Sequence, residues 1–150
     1  MSSNSADTSR LPLPALLEAA RSAAFAELHG QLSERGYGDI RLGHVSILDS
    51  VDRAGTRPTD LARQTGHSKQ AVGECVGDLE ALGYVDRLPD PTDHRAKLVR
   101  LTPRGVKATQ MVAEILAAVE REWADRIGQK GVAALREALE RLYALGGAGS

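Results

Sequence analysis

Residues 89–102 read PDPTDHRAKLVRLT. Pro89 and Pro91 restrict the backbone of a loop, and Asp93, His94 and Arg95 occupy its tip. Residues 96–101 then alternate as a strand does, with Lys97, Val99 and Leu101 on one side and Ala96, Leu98 and Arg100 on the other. Thr102 followed by Pro103 starts a helix, because the fixed φ of proline suits a first helical position. Tyr84 to Arg87 reads as the other strand. The stretch therefore predicts a β-hairpin with a charged tip that feeds directly into a helix.

Immediately upstream, Ser68 is placed to cap a helix that runs to about Leu82 and stops at Gly83. At about 100° per residue, Val72, Cys75, Val76, Leu79 and Leu82 gather on one side. Gln70, Gly73, Glu74 and Gly77 gather on the other, with Lys69 at the exposed N-terminal end. A shorter helix precedes it, with Pro58 at its first position, Thr56 as the expected cap, and Gly66 after Thr65. Ala62, Gly66, Val72 and Cys75 have the offsets of a helix-turn-helix: a small residue for the crossing, a glycine for a left-handed turn, and two residues facing the core.

A polar helix face beside a basic hairpin fits DNA. Gln70 can bond adenine bidentately, and Glu74 can accept from cytosine N4. A glycine costs roughly 1 kcal/mol relative to alanine in a helix interior. Gly73 and Gly77 on one face therefore suggest a close backbone approach to a groove floor, the plain alternative being tolerated surface glycines. Arg95 can enter a minor groove, where narrow tracts strengthen the negative potential. Asp93 can orient its guanidinium by a bidentate pair, while His94 and Lys97 reach phosphates or sugars. The plain alternative is an ordinary charged hairpin tip.

Working outward, residues 13–35 carry Leu13, Leu16, Leu17, Ala20, Ala24, Leu28 and Leu32 on a helical stripe. Residues 41–53 form a second helix with Val45, Leu48 and Val51 inward. After the hairpin, Val112, Ile115, Leu116, Val119, Trp123 and Ile127 form one stripe. Gly128 breaks that helix, and residues 130–145 carry Leu135, Leu139, Leu142 and Leu145. The fold class is mainly α (α+β), a winged helix-turn-helix in the order α-α-α-α-β-β-α-α. Residues 1–12 read as a disordered arm, and 13–145 as a single domain with its winged block at about 40–107. The flanking helices, about 13–35 and 103–145, are apolar enough to call for burial against a second copy, and readers of half-sites are usually dimers.

Composition is compatible with this. The 150 residues include only 3% aromatics and a single cysteine, which favours helices over sheets and precludes an internal disulfide. A reducing cytosol is the expected compartment. No apolar run approaches a membrane span of about 20 residues, and MSSNSADTSR lacks the apolar core of a signal peptide. The net charge of −1 is unevenly spread: residues 41–107 hold eleven Lys/Arg against nine acids, and the remainder eight against eleven. Enzyme chemistry finds little support. There is no glycine-rich phosphate loop, and His29, His44, His67 and His94 fall on different elements. Asp90 and Asp93 are expected on a flexible tip unsuited to fixed carboxylate geometry. No cofactor and no metal are expected. Cys75, on the core side of its helix, reads as an inert thiol rather than a redox sensor.

Residues from about 40 to 107 resemble the MarR family of transcriptional regulators, through RPTDLARQTGHSKQAVGECVGDLEALGYVDR and PDPTDHRAKLVRLTPRG. The second stretch resembles that family's Asp-x-Arg wing and Leu-Thr-x-x-Gly helix entry. The resemblance implies a homodimer joined through its terminal helices, a pseudo-palindromic operator, a repressor's role, and release by a small phenolic or carboxylate effector. It gives Ser68, Lys69, Gln70 and Glu74 the major-groove role and Arg95, supported by Asp93, the minor-groove role. Family geometry makes Phe25, His29, Arg41, His44 and Met111 the candidate effector pocket. His44 reads more readily as a hydrogen-bonded structural histidine. The two glycines depart from the pattern and leave the base code open. Two other functions compete: a winged-helix protein-interaction module without DNA binding, to which the near-neutral charge points, and a DNA-binding dimer with no effector.

Overall fold

The structure is a computed structural model that describes residues 11–147, with side chains to residue 144. The expected arm at 1–12 falls outside the described residues up to residue 10, as does the end of the glycine-rich tail and the side chain of Leu145. The elements are α1 (Leu13–Glu34), α2 (Leu42–Ser50), α3 (Pro58–Thr65), α4 (Lys69–Ala81), β1 (Val85–Pro89), β2 (Lys97–Leu101) and α5 (Pro103–Gly147). Gly128, at φ 79° and ψ 160°, interrupts α5, so two helical segments follow the hairpin. The winged helix-turn-helix order is therefore the observed one. Among the described residues, no helix is long and apolar enough to cross a membrane.

The chain divides into two compact units, Met1–Val112 and Ala113–Ser150. In the first, α2, α3 and α4 pack on one another, and β2 lies against α3. Ile47, Leu48, Leu61, Val72, Val76 and Leu79 are all fully buried, joined by Tyr84 and Val99. Each such aliphatic side chain contributes roughly 1.5–3 kcal/mol on burial. Only the second half of the α1 stripe is covered: Ala24, Leu28 and Leu32 are buried, whereas Leu13 and Leu16 stay exposed.

Two boundaries differ from the sequence reading. The second helix ends at Ser50 rather than residue 53, because Val51 turns extended (φ −84°, ψ 116°) and Asp52 to Gly55 close a turn. Thr56 is not the cap of α3. Arg57 holds that position without a side-chain bond, while Thr56 pairs with Val99 as a one-residue third strand, each amide donating to the other's carbonyl at 2.8 Å. Its hydroxyl accepts from the Asp52 amide at 2.9 Å, which tightens that turn.

Gly105 is required for the entry into α5. A Cβ there would lie 2.0 Å from the Tyr84 carbonyl oxygen. Thr102 completes the junction, its hydroxyl donating to the Gly83 carbonyl at 2.6 Å and accepting from the Gly105 amide at 3.1 Å. Beside it, Tyr84 donates to Asp39 at 2.5 Å and Arg104 reaches the same phenol oxygen at 3.1 Å. Burial first, and then the bond to Asp39, raise the Tyr84 phenol above its ordinary value. The start of α5 is thus fastened to the end of the hairpin and to the segment before α2.

In the second unit, Arg136 pairs with Glu120 across the break at Gly128. Ile127, Leu135, Leu139, Leu142 and Tyr143 remain exposed there.

Candidate nucleic-acid interface

The α4 helix is built as its sequence requires. Ser68 Oγ accepts from the Ala71 amide at 3.1 Å, satisfying one of the orphan donors at the helix start. Gly66 closes α3 in the left-handed conformation, φ 72°, and its amide donates to the Ala62 carbonyl. Val72, Val76 and Leu79 anchor the inner face. Ser68, Lys69, Gln70, Gly73 and Glu74 are all exposed. Gln70 donates to Glu74 at 3.3 Å, so these two polar heads are presented as a pair. An added Cβ on Gly73 or Gly77 would meet nothing within 4 Å. Nothing inside the chain therefore requires a glycine at either position.

The hairpin pairs antiparallel from Val85↔Leu101 to Pro89↔Lys97. Asp93, His94, Arg95 and Lys97 are exposed. The structure corrects the role read for Asp93. Its Oδ1 accepts from the backbone amide of Arg95 at 3.0 Å, so it shapes the turn instead of gripping the guanidinium. Asp90, expected on a flexible tip, is buried. Its Oδ1 accepts from the Thr92 amide and hydroxyl, both at 2.8 Å. Its Oδ2 accepts from Arg57 Nε at 2.7 Å. Those bonds, the Thr92 amide foremost, pull its carboxyl down to about 2. Sequence reasoning missed Arg57, Asp90 and Thr92. The Asp-Pro-Thr run is a turn signal, but a partner 33 residues away leaves no local trace.

Ion pairing changes the meaning of the net charge. Of the eleven basic residues in 41–107, six are paired: Arg41 with Asp78, Arg57 with Asp90, Arg63 with Asp60, Arg87 with Glu80, Arg100 with Asp86 and Arg104 with Asp39. Among the described residues this leaves Arg53, Lys69, Arg95, Lys97 and Lys107 without an ion-pair partner. Three of those five lie on the α4 start and the hairpin tip.

The pocket candidates separate. A groove of about 210 Å³ is lined by Phe25, Leu28, His29, Leu32, Ile40, Arg41, Leu42 and Val45. It brings Phe25, His29 and Arg41 together and includes neither His44 nor Met111. His44 is buried, and its Nδ1 accepts from the Arg41 amide at 3.1 Å. Its Nε2 lies 3.5 Å from Asp78, whose other partner is the Arg41 guanidinium at 2.6 Å. His44 is therefore the hydrogen-bonded structural histidine. Cys75 is half-buried, its thiol 3.8 Å from the Gly43 carbonyl, and burial first, then Asp78, push it above the ordinary thiol range.

The family model for the MarR family matches residues 39–96, the stretch from just before α2 to the wing loop. The multiple antibiotic resistance protein MarR of Salmonella typhimurium is 34% identical over 68 residues, covering 45% of this chain and 47% of that protein. The chain thus matches about half the length of that relative. Among solved structures, the reduced form of MarR from E. coli is similar over 88% of this chain and 96% of its own, with TM-score 0.72 and 25% identity. A mutant of that MarR complexed with operator DNA gives TM-score 0.74 at 25% identity, covering 88% of this chain and 94% of its own. The S. aureus MepR–DNA complex, at 17% identity, shares the fold with TM-score 0.75 over 90% of this chain and 98% of its own.

Proposed function

We propose that the chain is a MarR-family, sequence-specific DNA-binding transcriptional regulator, a cytoplasmic homodimer that represses from a pseudo-palindromic operator. The observation that carries this reading is the concentration of unpaired cations, Lys69, Arg95 and Lys97, on a capped helix start and an adjoining hairpin tip. Ser68, Lys69, Gln70, Gly73 and Glu74 are assigned to the major groove and Arg95 to the minor groove. Asp93 holds the turn that carries Arg95. His94 and Lys97 meet the sugar-phosphate backbone. The complex of a MarR with operator DNA supports the same use of this fold. The exposed Leu13 and Leu16 of α1 and Leu135, Leu139 and Leu142 of α5 support burial against a second copy.

Gel-shift titration against the promoter beside its own gene tests the reading. Gln70→Ala and Arg95→Ala are each expected to weaken binding by roughly 1–3 kcal/mol. Wild-type-like binding by both variants sinks the assignment. A protein-interaction module would instead show partner binding that ignores salt, and no DNA binding.

The groove supports an effector site. Its walls are apolar, and Arg41 is its one permanent cation, so a small phenolic or carboxylate compound fits its chemistry. A thermal-shift screen of such compounds, repeated on Arg41→Met, separates a liganded regulator from a DNA-binding dimer with no effector.

A further inference from the structure

We propose that Arg57, Asp90 and Thr92 lock the wing to the start of α3, so that Arg95 meets DNA at one fixed bearing from the recognition helix. They are positioning residues, and the proposal rests on the DNA-binding reading above.

The hairpin is fastened to the rest of its unit at two heights. The lower fastening is the reciprocal Thr56–Val99 backbone pair, with both bonds at 2.8 Å, and the Arg87–Glu80 ion pair at the same register. Fastenings confined to one register act as a hinge. Lys97, where the loop begins, lies two residues further along β2, about 7 Å away, and could swing about that point. The upper fastening is the side-chain cluster. Arg57 reaches Asp90 Oδ2 with Nε at 2.7 Å and with a terminal nitrogen at 2.6 Å. It also donates to the Thr92 hydroxyl at 3.0 Å. Thr92 in turn donates twice to Asp90 Oδ1. The Asp90 side chain is only 4% exposed, so its charge has little water to turn to once Arg57 is removed. Two fastenings along one ribbon remove the swing that a single one permits.

Arg95 lies three residues beyond Thr92, on a turn held by Asp93. Arg57 directly precedes α3, and α3 packs on α4. A continuous path thus runs from the recognition helix, through its packing on α3 and the Arg57 bonds, to the probe. Arg57 Nε and one terminal nitrogen point into the wing, so the lock uses this residue to hold the hairpin rather than to meet phosphate.

Asp90→Asn is the incisive change. The amide oxygen can keep the turn with Thr92, but its NH2 faces the Arg57 donors and the link opens. Affinity for the promoter duplex beside its own gene is measured for wild type, Arg95→Ala, Asp90→Asn and the double variant, with circular dichroism to verify folding. Arg95→Ala is expected to cost about tenfold or more in the wild type and less than about threefold in the Asp90→Asn background, the signature of coupled sites. Equal costs in both backgrounds overturn the lock. Arg57→Gln provides the second variant, at the more exposed end of the pair. It should weaken binding without changing the slope of log affinity against log salt, and Arg57→Lys should recover part of the loss. A slope that falls by about 0.9 per protomer makes Arg57 a phosphate contact and overturns the lock. If the wild type does not bind, or Arg95→Ala has no effect in it, the DNA-binding reading itself has failed.

Discussion

Replacing Gly73 and Gly77 by alanine should make the protein more stable and a worse DNA binder. Both residues lie within α4, off the buried face of Val72, Val76 and Leu79, with Gly73 exposed and Gly77 half-buried. A Cβ at either position would meet nothing within 4 Å, so no clash offsets the gain in helix propensity. Each substitution should stabilise by roughly 0.5–1 kcal/mol, and the pair by about 1–2 kcal/mol if they add. For a chain of this size, each 1 kcal/mol moves Tm by about 2–4 °C, so the double variant should melt roughly 2–8 °C higher. The same methyl groups would project toward the floor of the major groove. If the backbone approaches DNA closely there, binding should fall at least about tenfold, which is about 1.4 kcal/mol. Thermal melting and a binding isotherm on one preparation are sufficient, since general damage cannot raise Tm while lowering affinity. A higher Tm with unchanged affinity would refute the close approach and leave these as tolerated surface glycines. An unchanged Tm would refute the propensity argument.

The Asp90 carboxyl sits at about 2 in the folded chain against an ordinary 3.8, so its contribution to stability is fully present above about pH 4 and is lost as pH falls through about 2; acid unfolding of Asp90→Asn should lack that portion of the pH dependence. Ser68→Ala removes the α4 cap and should cost about 1 kcal/mol, read as a lower urea midpoint with an unchanged m-value. Gly105→Ala drives a methyl group into the Tyr84 carbonyl at 2.0 Å, and should destabilise by about 1–3 kcal/mol as other overpacked sites do; a wild-type melting curve would show that the entry to α5 gives way freely. For a dimer presenting Lys69, Arg95 and Lys97 twice over, log affinity should fall against log salt with a slope of about −5, whereas a slope near zero points to a protein partner.

What the sequence disclosed was whatever depends on neighbours in the chain. The Ser68 cap, the left-handed Gly66, the two faces of α4, and the Thr-Pro entry to α5 are each fixed by residues within one or two turns. The misreadings were non-local. Thr56 looked like a helix cap because Pro58 follows it, yet its backbone bonds go to Val99, 43 residues later. Asp93 and Arg95 looked like a side-chain pair because they are two apart, but at that spacing the shorter path is from the carboxylate to the amide. Asp90 looked mobile because it was placed with Asp93 on the hairpin tip, whereas its partner Arg57 lies beyond the whole helix-turn-helix. His44 fitted a ligand site until Asp78 on α4 was placed beside it. Of the pocket residues, only those whose side chains leave α1 and the start of α2 toward the same groove came together.

The near-neutral charge, at first an argument against DNA, follows from the same long-range pairing. Six arginines of the winged block are each held against a carboxylate, and they cancel in the sum. The five pairs other than Arg57–Asp90 are exposed and contribute at most about 1 kcal/mol each, so their value lies in geometry more than in stability. The consequence for recognition is specific. Non-specific affinity scales with the number of phosphates neutralised, and a protomer that offers three free cations at the proposed face has little of it to draw on. Its discrimination must then come from where those cations are held. This is why a buried Asp90 at the root of the wing matters more here than it would beneath a lysine-rich hairpin, where a misdirected arginine would be compensated by its neighbours.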